Sequence, residues 1–246
     1  MKSLILSSYF ALKPHPNSPN DEYVIGRMSN GFVPQNSFKY IKDWYESIIR
    51  VGENAVVFHD HLSEEFISKY QTDKIKFIKV DQSIYSNNDY RFFCFRNFLE
   101  NNKFDFVVHT DISDVTIASK LDSTILEEYD FLACKDSIKL NEFPFMQTHQ
   151  KYNWENSVIF YLNQNKWDLI NMGVIGGSYS NMLDFYNSFC LLRIKMGDPE
   201  FNSDMWLLQY LLRSVFSDKK ILIGEPFCSE FKKYQRERKD VYFIHK

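Results

Sequence analysis

The hydrophobic positions of the chain fall into short apolar runs separated by longer segments of mixed character. Apolar runs of a few residues, rich in Val, Ile and Phe, are typical of buried strands. They predict strands at 3–9, 55–58, 75–80, 106–110, 131–134 and 241–244.

Helices are predicted between these runs, where apolar residues recur every three or four positions after a capping residue. The expected caps are, in chain order, Asn36 or Ser37, Ser63, Asp89 for a helix over 90–101, Ser178 or Asn181 for a helix over 182–196, and Asn202 or Ser203. Gly52 is expected to end the first helix, because glycine adopts the left-handed conformation that closes a helix. The last helix is apolar nearly all round, which predicts that it is buried.

Strands that alternate with helices form βαβ units, and such units build a largely parallel sheet. The sequence therefore predicts an α/β fold in one domain over 1–246, without internal repeats. Two segments have no regular period. The loop over 13–20 contains three prolines, and 135–154 is expected to be a long aromatic loop of the kind that is often functional.

Two aspartates follow the predicted strand at 106–110. Asp111 and Asp114 stand where a mostly parallel sheet gathers its ligands, at the carboxyl end of a strand. Neighbouring carboxylates repel each other unless a cation or hydrogen-bond donors lie between them. This pattern indicates a divalent metal with a phosphate-bearing ligand. The alternative is a turn or helix cap formed by Asp111 or Ser113.

A glycine-rich segment, Asn-Met-Gly-Val-Ile-Gly-Gly-Ser, runs from Asn171 to Ser178. Glycines permit close approach of a ligand or a positive φ. A glycine-rich turn before a helix would suit an anion. The alternative is a tight strand–turn–helix connection, because no Gly-Lys-Ser/Thr follows and the pattern alone has low specificity.

Two further residues stand next to apolar elements. Asp204 begins the buried helix, where backbone N–H groups stabilise a carboxylate. It is either a structural residue of that turn or a rigidly held acid of the site. His245 follows the last predicted strand and is either exposed or directed back into a site.

Composition limits the possible functions. The 246 residues carry 29 Lys and Arg against 32 Asp and Glu, a balance that argues against nucleic-acid binding. The aromatic content of 17% predicts a substantial core. The four cysteines are widely spaced and without a CxxC pair, which argues against a zinc ribbon. Three of the four stand in apolar contexts and are expected to be buried thiols of a reducing compartment.

Localisation is predicted from apolar run length and charge. No run is long enough to span a bilayer and no targeting segment is recognised, so a cytoplasmic protein is expected. The basic stretch at 231–239 is either a solvated surface or a peripheral contact with an anionic membrane.

Four sequence pieces in order resemble a nucleotide-sugar-dependent glycosyltransferase of the GT-A fold. They are Asp111-Ile-Ser-Asp114-Val, the glycine-rich segment, Asn202-Ser-Asp-Met-Trp, and His245-Lys246, and together they cover roughly residues 89 to 246. The common family signature is Asp-x-Asp, whereas here Ser113 takes the place of the second Asp and Asp114 follows. Related enzymes also use Asp-x-x-Asp.

The resemblance implies a Rossmann-type α/β/α sandwich with a mixed, mostly parallel central sheet. It implies a nucleotide-binding half over 1–134 and an acceptor and donor-sugar half over 135–246. The donor would be a UDP- or GDP-sugar, the acceptor a glycan or glycolipid recognised near 135–154, and the cofactor Mn²⁺ or Mg²⁺.

The resemblance also assigns roles to individual residues. Asp111, Asp114 and His245 would bind the metal. The donor would be bound by Asp111, Ser113, Arg91, Asn171, Gly176 and Gly177, with Tyr9 stacked on the base. Asp204 would be the catalytic acid near the anomeric carbon, as a base, a nucleophile or a holder of sugar hydroxyls. Retention or inversion at the anomeric carbon stays open.

Three other classes compete with this interpretation. A non-catalytic nucleotide-sugar binder would have the same fold and no turnover. An aspartate-dependent phosphoryl hydrolase is disfavoured, because its nucleophile normally follows the first strand. A nucleotidyltransferase would require a glycine- and lysine-rich loop after the first strand, and 11–20 has one lysine and no glycine.

Overall fold

Most of the short apolar runs form strands of one mixed sheet. The computed structural model describes residues 2–16, 31–143, 167–199, 201–233, 235 and 237–246. The strands are β1 Ser3–Tyr9, β2 Ala55–His59, β3 Ile75–Lys79, β4 Phe106–Thr110, β5 Val115–Ile117, β6 Phe131–Lys139, β7 Asp168–Ser178, β8 Ile221–Ile223 and β9 Phe243–His245. Six of the strands named here coincide with predicted apolar runs, whereas β5, β7 and β8 were not predicted.

Seven of the strands form the central sheet in the order β3-β2-β1-β4-β7-β6-β8. β7 runs antiparallel to both of its neighbours, whereas the other pairs in this sheet are parallel. β5 and β9 form a separate antiparallel pair. The predicted α/β class with a mixed, mostly parallel sheet is therefore confirmed.

Helices cover both faces of this sheet. They are α1 Phe38–Val51, α2 Glu64–Tyr70, α3 Asn87–Asn101, α4 Ser123–Glu128, α5 Tyr179–Met196 and α6 Asp204–Tyr210. The core on one face contains α3, α5 and α6, and the core on the other contains α1, α2, α4 and the small sheet. The result is a three-layered α/β/α arrangement.

Several predicted helix ends are confirmed. Gly52 closes α1 at φ 79°, and its N–H donates to the Ile48 carbonyl at 2.8 Å. Ser63 and Ser178 cap α2 and α5 through their hydroxyls. The predicted cap at Asp89 is wrong, because Ser86 occupies that position and accepts the Asp89 N–H.

The glycine-rich turn was also predicted wrongly. Gly176 and Gly177 lie inside β7, where they pair with Val108 and Val107 of β4. The strand continues through them because both of their neighbours, β4 and β6, satisfy the backbone groups.

The unperiodic segment over 135–154 is only partly described. Residues 135–139 extend β6, and Leu140–Glu142 form a 3₁₀ turn. Residues 144–154, the predicted acceptor loop, lie outside the described residues, as do 17–20 of the proline-containing loop. β6 crosses the predicted division between residues 134 and 135.

Of the helices in the described ranges, none combines the length and apolar character that crossing a bilayer requires. Among the cysteines, Cys94 and Cys190 are free and buried, as predicted. The expectation of a free thiol is wrong for Cys134 and Cys228, which form a disulfide.

A buried ion pair joins α3 to α5. Arg193 and Asp89 are both fully buried, with Arg193 Nε 2.6 Å from Asp89 Oδ2. Arg193 Nη2 also donates to the carbonyls of Pro199 and Phe201, at 3.0 and 2.8 Å. Arg193 therefore anchors the segment that precedes α6 to the buried ion pair.

Replacing Arg193 with Met should lower the free energy of unfolding by about 3–5 kcal/mol, because Asp89 is then left as a buried charge without its cation. Urea denaturation measures this change. Lys220→Met is the matched control, since its ion pair with Glu128 is exposed on both sides and should contribute little to stability. Equal losses in the two variants would contradict the assignment.

His59 makes stability depend on pH. Burial, reinforced by His61, lowers the pKa of His59 from 6.5 to about 4. The unfolded chain therefore binds the proton first as the pH falls, so the stabilisation is complete above about pH 6.5 and is lost towards pH 4. In His59→Gln, the loss of unfolding free energy between these pH values should shrink by up to about 3 kcal/mol. Urea titrations at each pH test this, and an unchanged pH slope would refute it.

Candidate functional site

The candidate site begins where β4 ends in the middle of the sheet. Thr110 is fixed there by two contacts: its carbonyl accepts the Ser7 hydroxyl at 2.7 Å, and its own hydroxyl oxygen accepts the Trp44 indole N–H at 2.8 Å. The Asp111 N–H donates to the Gly173 carbonyl of β7 at 2.7 Å. Asp111 is therefore held on a rigid backbone.

The two carboxylate oxygens of Asp111 have different surroundings. Oδ1 forms an ion pair with Arg91 of α3. Oδ2 lies on the side of Gly173 and His245. Burial alone would raise the pKa of Asp111, but the charge of Arg91 and its hydrogen bond outweigh this effect, so the pKa is lowered and the group is ionised at neutral pH.

The small sheet brings Asp114 and His245 to the same place. Val115 of β5 stands opposite His245 of β9. The Lys246 N–H donates to the Asp114 carbonyl at 2.9 Å, and the His245 N–H donates to the Ser229 hydroxyl at 3.0 Å. As a result, His245 Nε2 lies 3.9 Å from Asp114 Oδ2.

One ligand atom from each of Asp111, Asp114 and His245 lies within 4.8 Å of the other two. His245 is 1% exposed, and neither of its ring nitrogens has a hydrogen-bond partner among the described residues. Burial lowers the pKa of His245 to about 4, although Asp111 opposes this shift. The imidazole is therefore neutral at pH 7 and has a lone pair to donate.

Gly173 leaves the space that these side chains occupy. A Cβ at this position would lie 2.2 Å from His245 Cε1 and 2.9 Å from Asp111 Oδ2. Real Cβ atoms do not approach other atoms so closely, so a larger residue would displace the imidazole. Gly173 is the glycine of the predicted segment that borders the site.

Arg91 connects Asp111 to a second carboxylate. Its Nη2 lies 3.1 Å from Asp204 Oδ2 at the start of α6. Asp204 also accepts the Met205 N–H at 2.7 Å and the Asn202 amide at 3.2 Å. Burial raises the pKa of Asp204, and Arg91 only partly offsets this effect.

The Asp89–Arg193 pair positions Asp204 through the residue that precedes it, Ser203. Asp89 accepts the Ser203 N–H at 3.1 Å and the Ser203 hydroxyl at 3.0 Å. Ser203 immediately precedes Asp204, so the buried pair fixes the position at which α6 begins. Asp89, which was expected to cap α3, instead positions Ser203 next to the candidate catalytic acid Asp204.

Five predicted site residues are brought together by the structure: Asp111, Asp114, His245, Arg91 and Asp204. Two others lie beside them. Asn171 accepts the Gly173 N–H at 2.8 Å and donates to Asp136 at 3.0 Å. Ser113 is hydrogen-bonded to the hydroxyl of Tyr40.

Three predicted donor-binding residues are placed elsewhere. Tyr9 is 1% exposed, its ring packs against Tyr40, and its hydroxyl donates to the Pro34 carbonyl at 2.6 Å, so it does not present a face to a base. Gly176 and Gly177 stand beside the first half of β4, away from Asp111. Added Cβ atoms there would meet Val108 at 2.9 Å and the Asp130 carbonyl at 2.6 Å. Core packing explains the need for these two glycines.

Other residues of the site were missed from the sequence. Tyr40 reaches the site from α1, and its hydroxyl pKa is raised by burial and by the nearby Asp114 and Asp111. Asp136 of β6 holds Asn171. No sequence signal marked Tyr40 or Asp136, because their elements meet only in the folded chain. Lys246, which the His-Lys piece of the sequence included, pairs with Asp43.

Comparison of the chain with protein-family models and with curated proteins found no match. The functional argument therefore depends on the residues of the site.

If Asp111, Asp114 and His245 hold Mn²⁺, replacing Gly173 with Ala should weaken its binding by at least about tenfold, because the new methyl group displaces His245. Disturbing even the surroundings of metal ligands costs about 10–100-fold. Calorimetric titration with Mn²⁺ measures the affinity. Gly197→Ala is the matched control, since Gly197 has φ 75° and no neighbour near its Cβ position. That variant should lose some stability and keep its affinity. Unchanged binding in Gly173→Ala would contradict the placement of the imidazole.

Proposed function

We propose that the chain is a metal-dependent glycosyltransferase of the GT-A type, which transfers a sugar from a UDP- or GDP-sugar to a glycan or glycolipid. One observation carries this proposal. Two carboxylates and a buried neutral imidazole converge at the carboxyl end of the central strand β4, and a cation and a buried acid flank them.

The residues fit a divalent cation. Carboxylate oxygens suit Mg²⁺ and Mn²⁺, and an imidazole favours Mn²⁺ as the softer of the two. The two ring nitrogens of His245, which have no hydrogen-bond partner in the described parts of the chain, support the same conclusion, because a buried polar group without a partner is costly unless a ligand uses it. Asp111, Asp114 and His245 would hold the ion. When bound, it would supply a Lewis acid that stabilises negative charge on a leaving diphosphate.

Arg91 would set the charge of the site. Its guanidinium is buried between Asp111 and Asp204, where it keeps the metal-binding carboxylate ionised. It also limits how far burial raises the pKa of Asp204. A diphosphate would meet this positive charge at the inner wall of the site, as electrostatic stabilisation of a leaving group requires.

Asp204 is the candidate catalytic acid or base. A carboxylate with a raised pKa takes up a proton more readily near neutral pH, which suits general base catalysis. Its hydrogen bonds to Met205 and Asn202 would fix its orientation towards a donor sugar. A role as nucleophile or as a holder of sugar hydroxyls would use the same fixed position.

The donor-binding set is revised from the sequence expectation. Asn171 and Ser113 stay in it, since both lie beside the metal-binding side chains. Gly173 replaces Gly176 and Gly177 as the glycine that permits close approach. Tyr40 replaces Tyr9 as the aromatic residue beside Asp114. The mixed, mostly parallel sheet supports the finer assignment to the GT-A fold.

The test is a thermal-shift screen of UDP- and GDP-sugars with and without Mn²⁺, followed by measurement of nucleotide release. A ligand that binds only the folded state raises the melting temperature. Asp111→Asn and Asp114→Asn should abolish the Mn²⁺-dependent shift and lower turnover by about 10²-fold or more. His245→Ala should weaken the dependence on Mn²⁺. Asp105→Asn is the control, because Asp105 is an exposed carboxylate just before β4, at its opposite end.

The outcomes separate the competing classes. A shift without nucleotide release, with acceptors or with water, would identify a non-catalytic binder. Release of inorganic phosphate without sugar transfer would identify a hydrolase. Full activity in both asparagine variants would falsify the site assignment.

A further inference from the structure

The imidazole of His245 belongs to two groups of potential metal ligands. One is the carboxylate set, Asp111 and Asp114. The other consists of Cys134 and Cys228, whose sulfur atoms lie with a His245 nitrogen within 4.8 Å of one another. All three residues of this second group are 1% exposed or less. In the structure the two cysteines form a disulfide, so they bind no ion.

Backbone contacts, besides the disulfide, hold the second group together. Cys134 lies in β6, opposite Asn171 of β7. Cys228 forms a β-bridge with Phe243, two residues before His245. Ser229 connects the parts: both sulfur atoms lie 3.3 Å from its carbonyl oxygen, and its hydroxyl accepts the His245 N–H at 3.0 Å.

We propose that Cys134, Cys228 and His245 form a second metal site, for Zn²⁺ or a similar soft ion, once the disulfide is reduced. Two thiolates and an imidazole are a common zinc ligand set, and three protein ligands leave a fourth position open. Zn–S bonds of about 2.3 Å at tetrahedral angles separate two sulfur atoms by about 3.8 Å. The cysteine Cα atoms are 5.2 Å apart, which allows that separation by side-chain rotation.

A phosphine can reduce the disulfide and so allow zinc to bind. The phosphine and one water molecule convert the disulfide into two thiols, and the phosphine becomes its oxide. Zn²⁺ then displaces one proton from each thiol, because the thiolate is the ligand. The neutral imidazole contributes its lone pair and loses no proton.

The two sites would compete for one side chain. A neutral imidazole has one lone pair, since its other nitrogen carries a hydrogen, so it serves one ion at a time. Zinc on the cysteines would withdraw His245 from the carboxylate site. This consequence rests on the proposed function, whereas the zinc site itself does not.

Co²⁺ is the probe for the experiment, because thiolate ligands give it an intense near-ultraviolet charge-transfer band. The full chain is reduced with a phosphine, freed of metals and titrated with Co²⁺, and then with Zn²⁺. We expect the band in the reduced protein, its loss when Zn²⁺ is added, and no band in the oxidised protein. Native mass spectrometry should show one zinc gained and two protons lost.

Matched variants identify the ligands. Cys134→Ser with Cys228→Ser should abolish the band, whereas Cys94→Ser with Cys190→Ser should keep it, since the latter pair is buried and free. His245→Ala should weaken Co²⁺ binding by at least about tenfold, the lower limit for disturbing a metal-bound histidine. Asp111→Asn with Asp114→Asn should leave the band intact, which separates this proposal from the proposed function.

Two results would overturn the proposal. One is a reduced wild-type protein without a thiolate band and without a zinc adduct. The other is a band of undiminished affinity in His245→Ala. If the double serine variant does not fold, the wild-type comparison of oxidised and reduced protein still decides, because it requires no substitution.

Discussion

A buried guanidinium between two carboxylates is the constraint on which the candidate site depends. Arg91 comes from α3, Asp111 from the end of β4 and Asp204 from the start of α6, and the ion pairs hold these three elements at one point. Without the cation, the two neighbouring carboxylates would repel each other and one would take up a proton. The pairing therefore fixes both geometry and charge. It also gives the two acids different properties, since the pKa of Asp111 is lowered and that of Asp204 is raised.

Behind this ion pair lies a second one that has no exposed atoms. Asp89 and Arg193 are fully buried, and Asp89 accepts two hydrogen bonds from Ser203. Asp89 and Arg91 stand two residues apart in the first turns of α3, and both pairs meet the same end of α6. A buried ion pair is weak evidence for stability, because desolvation offsets much of the attraction. Its retention is more easily understood as a means of positioning, which here places Asp204 beside Arg91.

The sequence predicted the parts of the fold that depend on local pattern. β1 to β4 and α1 follow from apolar runs, helical spacing and Gly52, because each of these signals acts within a few residues. The antiparallel insertion of β7 was not predictable, since glycines in a strand and in a turn give the same pattern. The site residues that follow a strand or begin a helix, such as Asp111 and Asp204, were predicted. Gly173 and the cysteine pair were missed because their partners are distant in sequence.

The pairing of β5 with β9 has a consequence for how metal binding and local stability are linked. In this pairing His245 stands opposite Val115, beside Asp111 and Asp114. A ligand that binds only the folded arrangement stabilises it by mass action. A cation held by the two carboxylates and the imidazole would therefore also secure β9, so that local opening of this short strand and release of the cation would occur together.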